Sequence, residues 1–162
     1  MGGCGWRRRM PEAAIALGSN LGEREENLLR SIELIETLGA VRSVSAFYDT
    51  APVGFVEQPR FLNGAVVLKT ELGPLELLRG LLAVERAMGR TRTGLPPKGP
   101  RVIDLDLILY GDVVLETAEL TLPHPEFVGR EFVLEPLAEI AGEMRHPVLG
   151  VTVAELLRRV RV

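Results

Sequence analysis

The stretch Arg101-Val-Ile-Asp-Leu-Asp-Leu-Ile-Leu-Tyr110 decides how this chain is read. Alternation of polar and apolar residues predicts a β-strand over 102–110, the strongest in the sequence. Ile103, Leu105, Leu107 and Leu109 then face the core, and Asp104 and Asp106 share the other face, about 6.6 Å apart along the strand. Two carboxylates this close on a dry sheet repel, and one is pushed towards protonation unless a cation lies between them. Mg²⁺ takes one or two protein carboxylates and completes its octahedron with water and phosphate oxygens, so the pair suits a two-metal clamp on a nucleotide. The alternative is a solvated strand face with two surface acids. Aspartate supplies only four of the 22 acidic residues and is depleted in strands, which favours the metal.

Just upstream, Arg90, Arg92, Lys98 and Arg101 are the charged residues of 90–101, with no acid among them. They lie along and just beyond a Gly/Pro-rich loop, residues 89–100. Arginine forks match phosphate oxygens bidentately, and a loop of this composition can close over a ligand. A solvated basic loop is the alternative, but cations beside a carboxylate pair are the equipment of phosphoryl transfer. No G-x-x-x-x-G-K-[ST] occurs, so this is not a P-loop protein.

Working outward, Pro74 opens a helix with Leu77, Leu78, Leu81, Leu82 and Val84 on its buried stripe and Gly89 at its end. Residues 61–68 read as a strand, and so do 43–48, with Val44, Ala46 and Tyr48 on one face; a Pro/Gly loop over 51–60 joins them. A buried strand over 13–17 ends in Gly18-Ser19-Asn20. It precedes a helix over 23–38, apolar at Leu28, Leu29, Ile32, Ile35 and Leu38 and stopped by Gly39. On the C-terminal side Gly111-Asp112 turns the chain into 113–115 as a hairpin. Pro123-His124-Pro125 breaks it, 132–141 is helical, and Thr152-x-x-Glu155 is a capping box. The order βαββαβ is the ferredoxin-like layout. The fold class is α/β (α+β): a mainly antiparallel sheet with helices on one face, plus a C-terminal hairpin and helices.

At 162 residues and 17.8 kDa the chain suits one domain over 12–162 behind a disordered extension, 1–11. A net charge of −3 argues against general duplex nucleic-acid binding. No apolar run approaches the ~20 residues that span a bilayer. Cys4 is the single cysteine, so a reducing cytoplasm is the default.

Three further features bear on ligands. His124 sits on a rigid turn, where it is either structural or a phosphate donor titrating near neutrality. Phe61 and Phe132 are ordinary core residues by type. Asn63 interrupts an apolar strand, and a buried amide needs partners; it can read the donor and acceptor edge of a heterocycle.

With Ala16-Leu-Gly-Ser-Asn-Leu21, Tyr48-x-Thr-x-Pro52, Gln58-Pro-x-Phe-Leu-Asn63, Gly99-Pro-Arg-x-x-Asp-Leu-Asp106 and Leu122-Pro-His-Pro125, the chain resembles the 6-hydroxymethyl-7,8-dihydropterin pyrophosphokinases of folate biosynthesis, over roughly 13–157. The resemblance implies a ferredoxin-like fold, ATP as co-substrate, two Mg²⁺ ions, and transfer of pyrophosphate to the pterin hydroxymethyl with release of AMP. It implies that Asp104 and Asp106 hold both ions and that Arg90, Arg92 and Arg101 act with them in catalysis. Asn63 would pair with the pterin edge, Phe61 and Phe132 would sandwich the ring, and Thr50, Ala51, Pro52 and Val53 would complete the pocket. Glu85, Arg92, Lys98, Arg101, Thr121, His124 and Arg130 would bind ATP. A monomer or weak homodimer in the cytoplasm, free of membrane and nucleic acid, is expected. Competing readings are a non-catalytic ferredoxin-like metabolite-binding regulator and a phosphohydrolase.

Overall fold

A computed structural model describes residues 10–51, 57–89 and 101–162. The elements are β1 (Glu12–Ser19), α1 (Arg24–Ile35), β2 (Ala40–Val44), β3 (Tyr48–Thr50), β4 (Phe61–Lys69), α2 (Pro74–Ala87), β5 (Asp104–Tyr110), β6 (Leu115–Glu116), β7 (Thr121–Leu122), a 3₁₀ turn (Phe127–Gly129), α3 (Glu131–Ala141) and α4 (Val153–Val160). The expected extension falls almost wholly outside the described residues. Among the described residues no helix is long and apolar enough to cross a membrane.

The main sheet runs β2-β4-β1-β5, with β3 also paired to β4, and every pairing is antiparallel. This is the ferredoxin-like order. β1 is central and nearly free of exposed side chains, which is why Ala13-Ala-Ile-Ala-Leu17 reads as a continuous apolar run. One face packs Ile15, Leu17, Val66, Leu68, Leu105 and Leu107 against Leu28 and Ile35 of α1 and Leu77, Leu81 and Val84 of α2. The other packs Ala14, Ala65, Val67, Ile108 and Leu109 against Val133, Leu134 and Leu137 of α3 and Val153 and Leu156 of α4. The expected one-sided helical layer is therefore corrected. The C-terminal helices cover the second face, because that face is itself apolar over most of its length.

Four further expectations are corrected. Leu109 does not share a face with Leu107: the β1–β5 register shifts between Ala14 and Ile15, leaving Ile108 as an extra residue that turns Leu109 over. The hairpin after β5 is not made by 113–115; Leu115 and Glu116 pair instead with Leu122 and Thr121. The strand expected over 43–48 is two strands, β2 and β3, parted at 45–47. Helix α1 ends at Ile35, followed by turns in which Thr37 and Leu38 N–H bond the Leu34 and Ile35 carbonyls, and Leu29 is 50% exposed.

Gly39 acts by close approach, because a Cβ there would run into the Lys69 carbonyl oxygen. Gly89, by contrast, ends α2 with φ +90 and is the left-handed terminator expected of it. Thr152 and Glu155 form the expected capping box of α4.

Candidate active site

Register brings polar residues of three strands into one row with a glycine of the fourth. Tyr48 of β3 pairs with Asn63 of β4, Asn63 with Gly18 of β1, and Gly18 with Asp104 of β5. Paired residues in a sheet point to the same face, so Asn63 and Asp104 stand on either side of a glycine. Phe61 pairs with Thr50, and Asp106 with Ala16, on that same face. Only small residues of β1 lie between the flanking strands. A Cβ added to Gly18 would touch Asn63 Oδ1 at 3.4 Å and the Phe61 ring at 3.5 Å, so the glycine leaves a recess between amide, ring and carboxylate.

Asp104 and Asp106 are half-buried, while Leu105 and Leu107 between and beyond them are buried in the layer under α1 and α2. The alternation expected for this part of the strand is thus observed. Arg101 Nη1 donates to Asp104 Oδ2 at 3.1 Å, and the Arg101 guanidinium carbon lies 5.7 Å from the Phe61 ring centroid. With only 13% of its side chain exposed, this arginine is a fixed cation between the carboxylate end and the aromatic end of the recess.

Asn63 is 5% exposed. Its Nδ2 donates to Thr50 Oγ1 at 2.6 Å and to the Tyr48 carbonyl at 3.4 Å. Both amide protons being directed at β3, the Oδ1 acceptor is turned towards the recess over Gly18.

Helix α3 brings a second aromatic to the same layer. Phe132, in its first turn, is half-buried against the apolar side under α3 and α4, and the Arg130 guanidinium carbon sits 5.8 Å from its ring centroid. Arg130 also bonds Glu126. His124 is tethered by its N–H to the carbonyl of the bulged Ile108 at 2.9 Å, and its Nδ1 accepts from Glu126 N–H at 3.2 Å. The neutral ring therefore carries its proton on Nε2. Burial first, then the charge of Arg130, hold the His124 pKa below the ordinary value, with Glu126 and Asp104 opposing. Thr121 lies on β7, opposite Glu116.

Glu85 reaches the outer edge of β5 from α2. It is 2% exposed, and its Oε2 accepts Leu105 N–H at 2.8 Å, capping the outer edge of β5. Ala51 lies exposed just beyond β3. Pro52, Val53, Arg90, Arg92 and Lys98 lie outside the described residues.

Asn20 and Gln58 carry an importance that reading the residues one by one did not assign. Asn20 is 1% exposed, and its Nδ2 donates to Gln58 Oε1 at 2.6 Å and to the Pro59 carbonyl at 3.1 Å. It also exchanges two bonds with Arg101: Arg101 N–H to Asn20 Oδ1 at 2.8 Å and Asn20 N–H to the Arg101 carbonyl at 3.1 Å. One amide thus ties the approach to β4 to the residue that precedes β5. The signal was present, since an amide directly after a buried strand needs buried partners.

Among the described residues no group of three or more His, Cys, Asp or Glu could form a closed cage. Two hard oxygen donors on one half-exposed strand face are what Mg²⁺ uses when substrate phosphates supply further ligands, so the residues fit that ion and fit a structural Zn²⁺ poorly.

The fold is that of the solved Plasmodium falciparum HPPK-DHPS, whose complex with pteroate superposes with a TM-score of 0.71 at 17% identity, over 95% of this chain and 44% of that one. The chain belongs to the 7,8-dihydro-6-hydroxymethylpterin-pyrophosphokinase (HPPK) family, whose sequence model matches residues 14–142. It is 46% identical over 134 residues to the 2-amino-4-hydroxy-6-hydroxymethyldihydropteridine pyrophosphokinase of Bacillus subtilis, covering 82% of this chain and 79% of that protein. To the protein of the same name from Synechocystis it is 45% identical over 150 residues, covering 91% and 75%. The folic acid synthesis protein fol1 of Schizosaccharomyces pombe is 40% identical over 137 residues, 83% of this chain, and there the chain spans only 18% of the longer protein.

Proposed function

We propose that this chain transfers pyrophosphate from ATP to the hydroxymethyl group of 6-hydroxymethyl-7,8-dihydropterin, releasing AMP, as a step of folate biosynthesis. The observation that carries the reading is the row Asn63-Gly18-Asp104, which sets an amide reader and a carboxylate on either side of one recess. Phe61 and Phe132 stack the flat pterin, a contact favoured for offset aromatic faces. Asn63 Oδ1 accepts from the donor edge of the heterocycle, and Thr50 keeps the amide in that orientation.

Asp104 and Asp106 would hold two Mg²⁺ ions, whose chemistry there would be to neutralise charge on the triphosphate. Arg101 stays paired with Asp104 in the free protein and counters charge growing on the departing AMP. His124, through Nε2–H, and Arg130 donate to phosphate oxygens, and Thr121 contacts the nucleotide. Arg90, Arg92 and Lys98 add cations to the triphosphate. Glu85, held to the Leu105 N–H, lies at the nucleotide from the outer edge of β5. A cytoplasmic site is in keeping with a chain whose single cysteine, Cys4, has no intrachain partner.

The test is a product assay with purified protein, ATP, Mg²⁺ and 6-hydroxymethyl-7,8-dihydropterin. AMP must appear in step with the pterin diphosphate. ADP as the nucleotide product marks an ordinary kinase, and phosphate released without pterin marks a hydrolase.

A further inference from the structure

Between β2 and β3 the sheet is interrupted, and the interruption is filled by side chains. Ser45 N–H still donates to the Ala65 carbonyl at 2.9 Å, but the return bond is made by Ser45 Oγ, which accepts Ala65 N–H at 2.9 Å. Ala46 N–H has left the ladder and is taken by the Glu139 carboxylate at 3.1 and 3.2 Å. The same carboxylate accepts the Tyr48 phenol at 2.7 Å. Glu139 therefore grips the chain on both sides of Phe47, at the point where β3 begins.

Glu139 stands seven residues after Phe132, so both lie on one face of α3. Tyr48, whose hydroxyl Glu139 holds, offers its backbone carbonyl to Asn63, and Thr50 two residues on takes the other Asn63 bond. The helix that carries one ring of the pocket is thereby bolted to the strand that orients the amide of the other side.

We infer that Glu139 is a positioning residue for the pterin pocket, fixing the spacing between Phe132 on α3 and the Thr50–Asn63 pair through its bonds to Tyr48 and Ala46; this rests on the pterin reading above. Glu139 is itself exposed, so it fills no core volume and its contacts serve alignment. The Tyr48 hydroxyl is pushed up to about 12, first by its bond to Glu139, then by burial and the carboxylate's charge. It stays a donor at every pH at which the enzyme would be assayed.

The test compares wild type, Glu139→Ala, Glu139→Gln, Tyr48→Phe and the double variant Glu139→Ala/Tyr48→Phe in AMP release, with thermal melts alongside. Glu139→Ala and Tyr48→Phe each raise KM for pterin roughly tenfold, a loss within the range for misplaced binding groups, while KM for ATP moves less than about twofold. The double variant is little worse than Glu139→Ala because the two act through one contact. Glu139→Gln, whose amide oxygen still accepts from the phenol, recovers most of the pterin affinity. An active wild type with an unchanged pterin KM in Glu139→Ala overturns the inference alone. So does a parallel rise of both KM values with a falling melting temperature. A wild type that releases no AMP overturns the functional reading, and the inference with it.

Discussion

Arg101 and Asp104 are joined across one turn of extended chain, with Nη1 donating to Oδ2 at 3.1 Å and both side chains largely withdrawn from water. The same guanidinium lies over Phe61, so a single planar cation touches the carboxylate end and the aromatic end of the recess. Lysine has neither the fork nor the flat face.

Arg101→Lys is therefore expected to fold normally and to lose kcat/KM for ATP by about two orders of magnitude, the scale of removing a preorganised charge partner. Steady-state kinetics at saturating pterin check this. Activity within a few-fold of wild type would show that charge alone suffices at this position.

Asp104→Asn and Asp106→Asn keep the size of each side chain and remove the charge. Each is expected to cut AMP release by about two to three orders of magnitude and to raise the Mg²⁺ concentration at half-maximal rate. Both variants should still melt cooperatively, Asp104→Asn at a lower temperature because it gives up the ion pair with the largely buried Arg101. Magnesium titrations of the two variants separate a metal site from a solvated face, on which neither substitution would matter.

The two histidines predict how stability depends on pH. His146 is buried, stacks on Phe127 at a centroid distance of 5.9 Å, and accepts Val148 and Leu149 N–H through Nδ1 at 3.2 and 3.0 Å. Burial lowers its pKa below 6.5, and His124 is lowered in the same direction. The unfolded chain then binds more protons than the folded one below that value. Stability is full above about pH 6.5 and falls as the pH drops through it towards the folded values. Urea midpoints across this range should decline in wild type and decline less in His146→Asn, whose amide oxygen can accept the same two N–H groups. Equal slopes would assign the acid sensitivity elsewhere.

Gly39→Ala should destabilise the fold by about 1–3 kcal/mol, because the Lys69 carbonyl occupies the space of the new methyl. Specific activity of the folded fraction should be kept, as the substitution sits at the far end of β4 from Asn63. Chemical denaturation read alongside the AMP assay checks both parts.

The layout was legible because helix and strand periods were distinct along most of the chain, as Leu77, Leu81 and Val84 show for α2 and Asp104 and Asp106 for the first half of β5. What stayed hidden depended on tertiary pairing. Nothing local marks Ile108 as a bulge, so Leu109 was assigned to the wrong face. Leu115 finds its partner in Leu122 rather than in β5, a choice that a two-residue strand cannot announce. The bond from Leu105 N–H to Glu85 joins α2 to β5 across twenty residues, and nothing local to either residue announces it. Glu139 gives no sequence signal, since an exposed acid on an amphipathic helix is ordinary; its significance lies in a strand some ninety residues earlier.

Gly18 pairs with Asn63 on one side and Asp104 on the other, which sets those two residues two strand spacings apart, about 9.6 Å. Backbone hydrogen bonds maintain that interval, and no exchange of side chains can stretch it. β1 thus works as a gauge block: the gap between Asn63 and Asp104 is machined into the sheet. Substitutions can retune either jaw, but a wider gap would call for a different strand order.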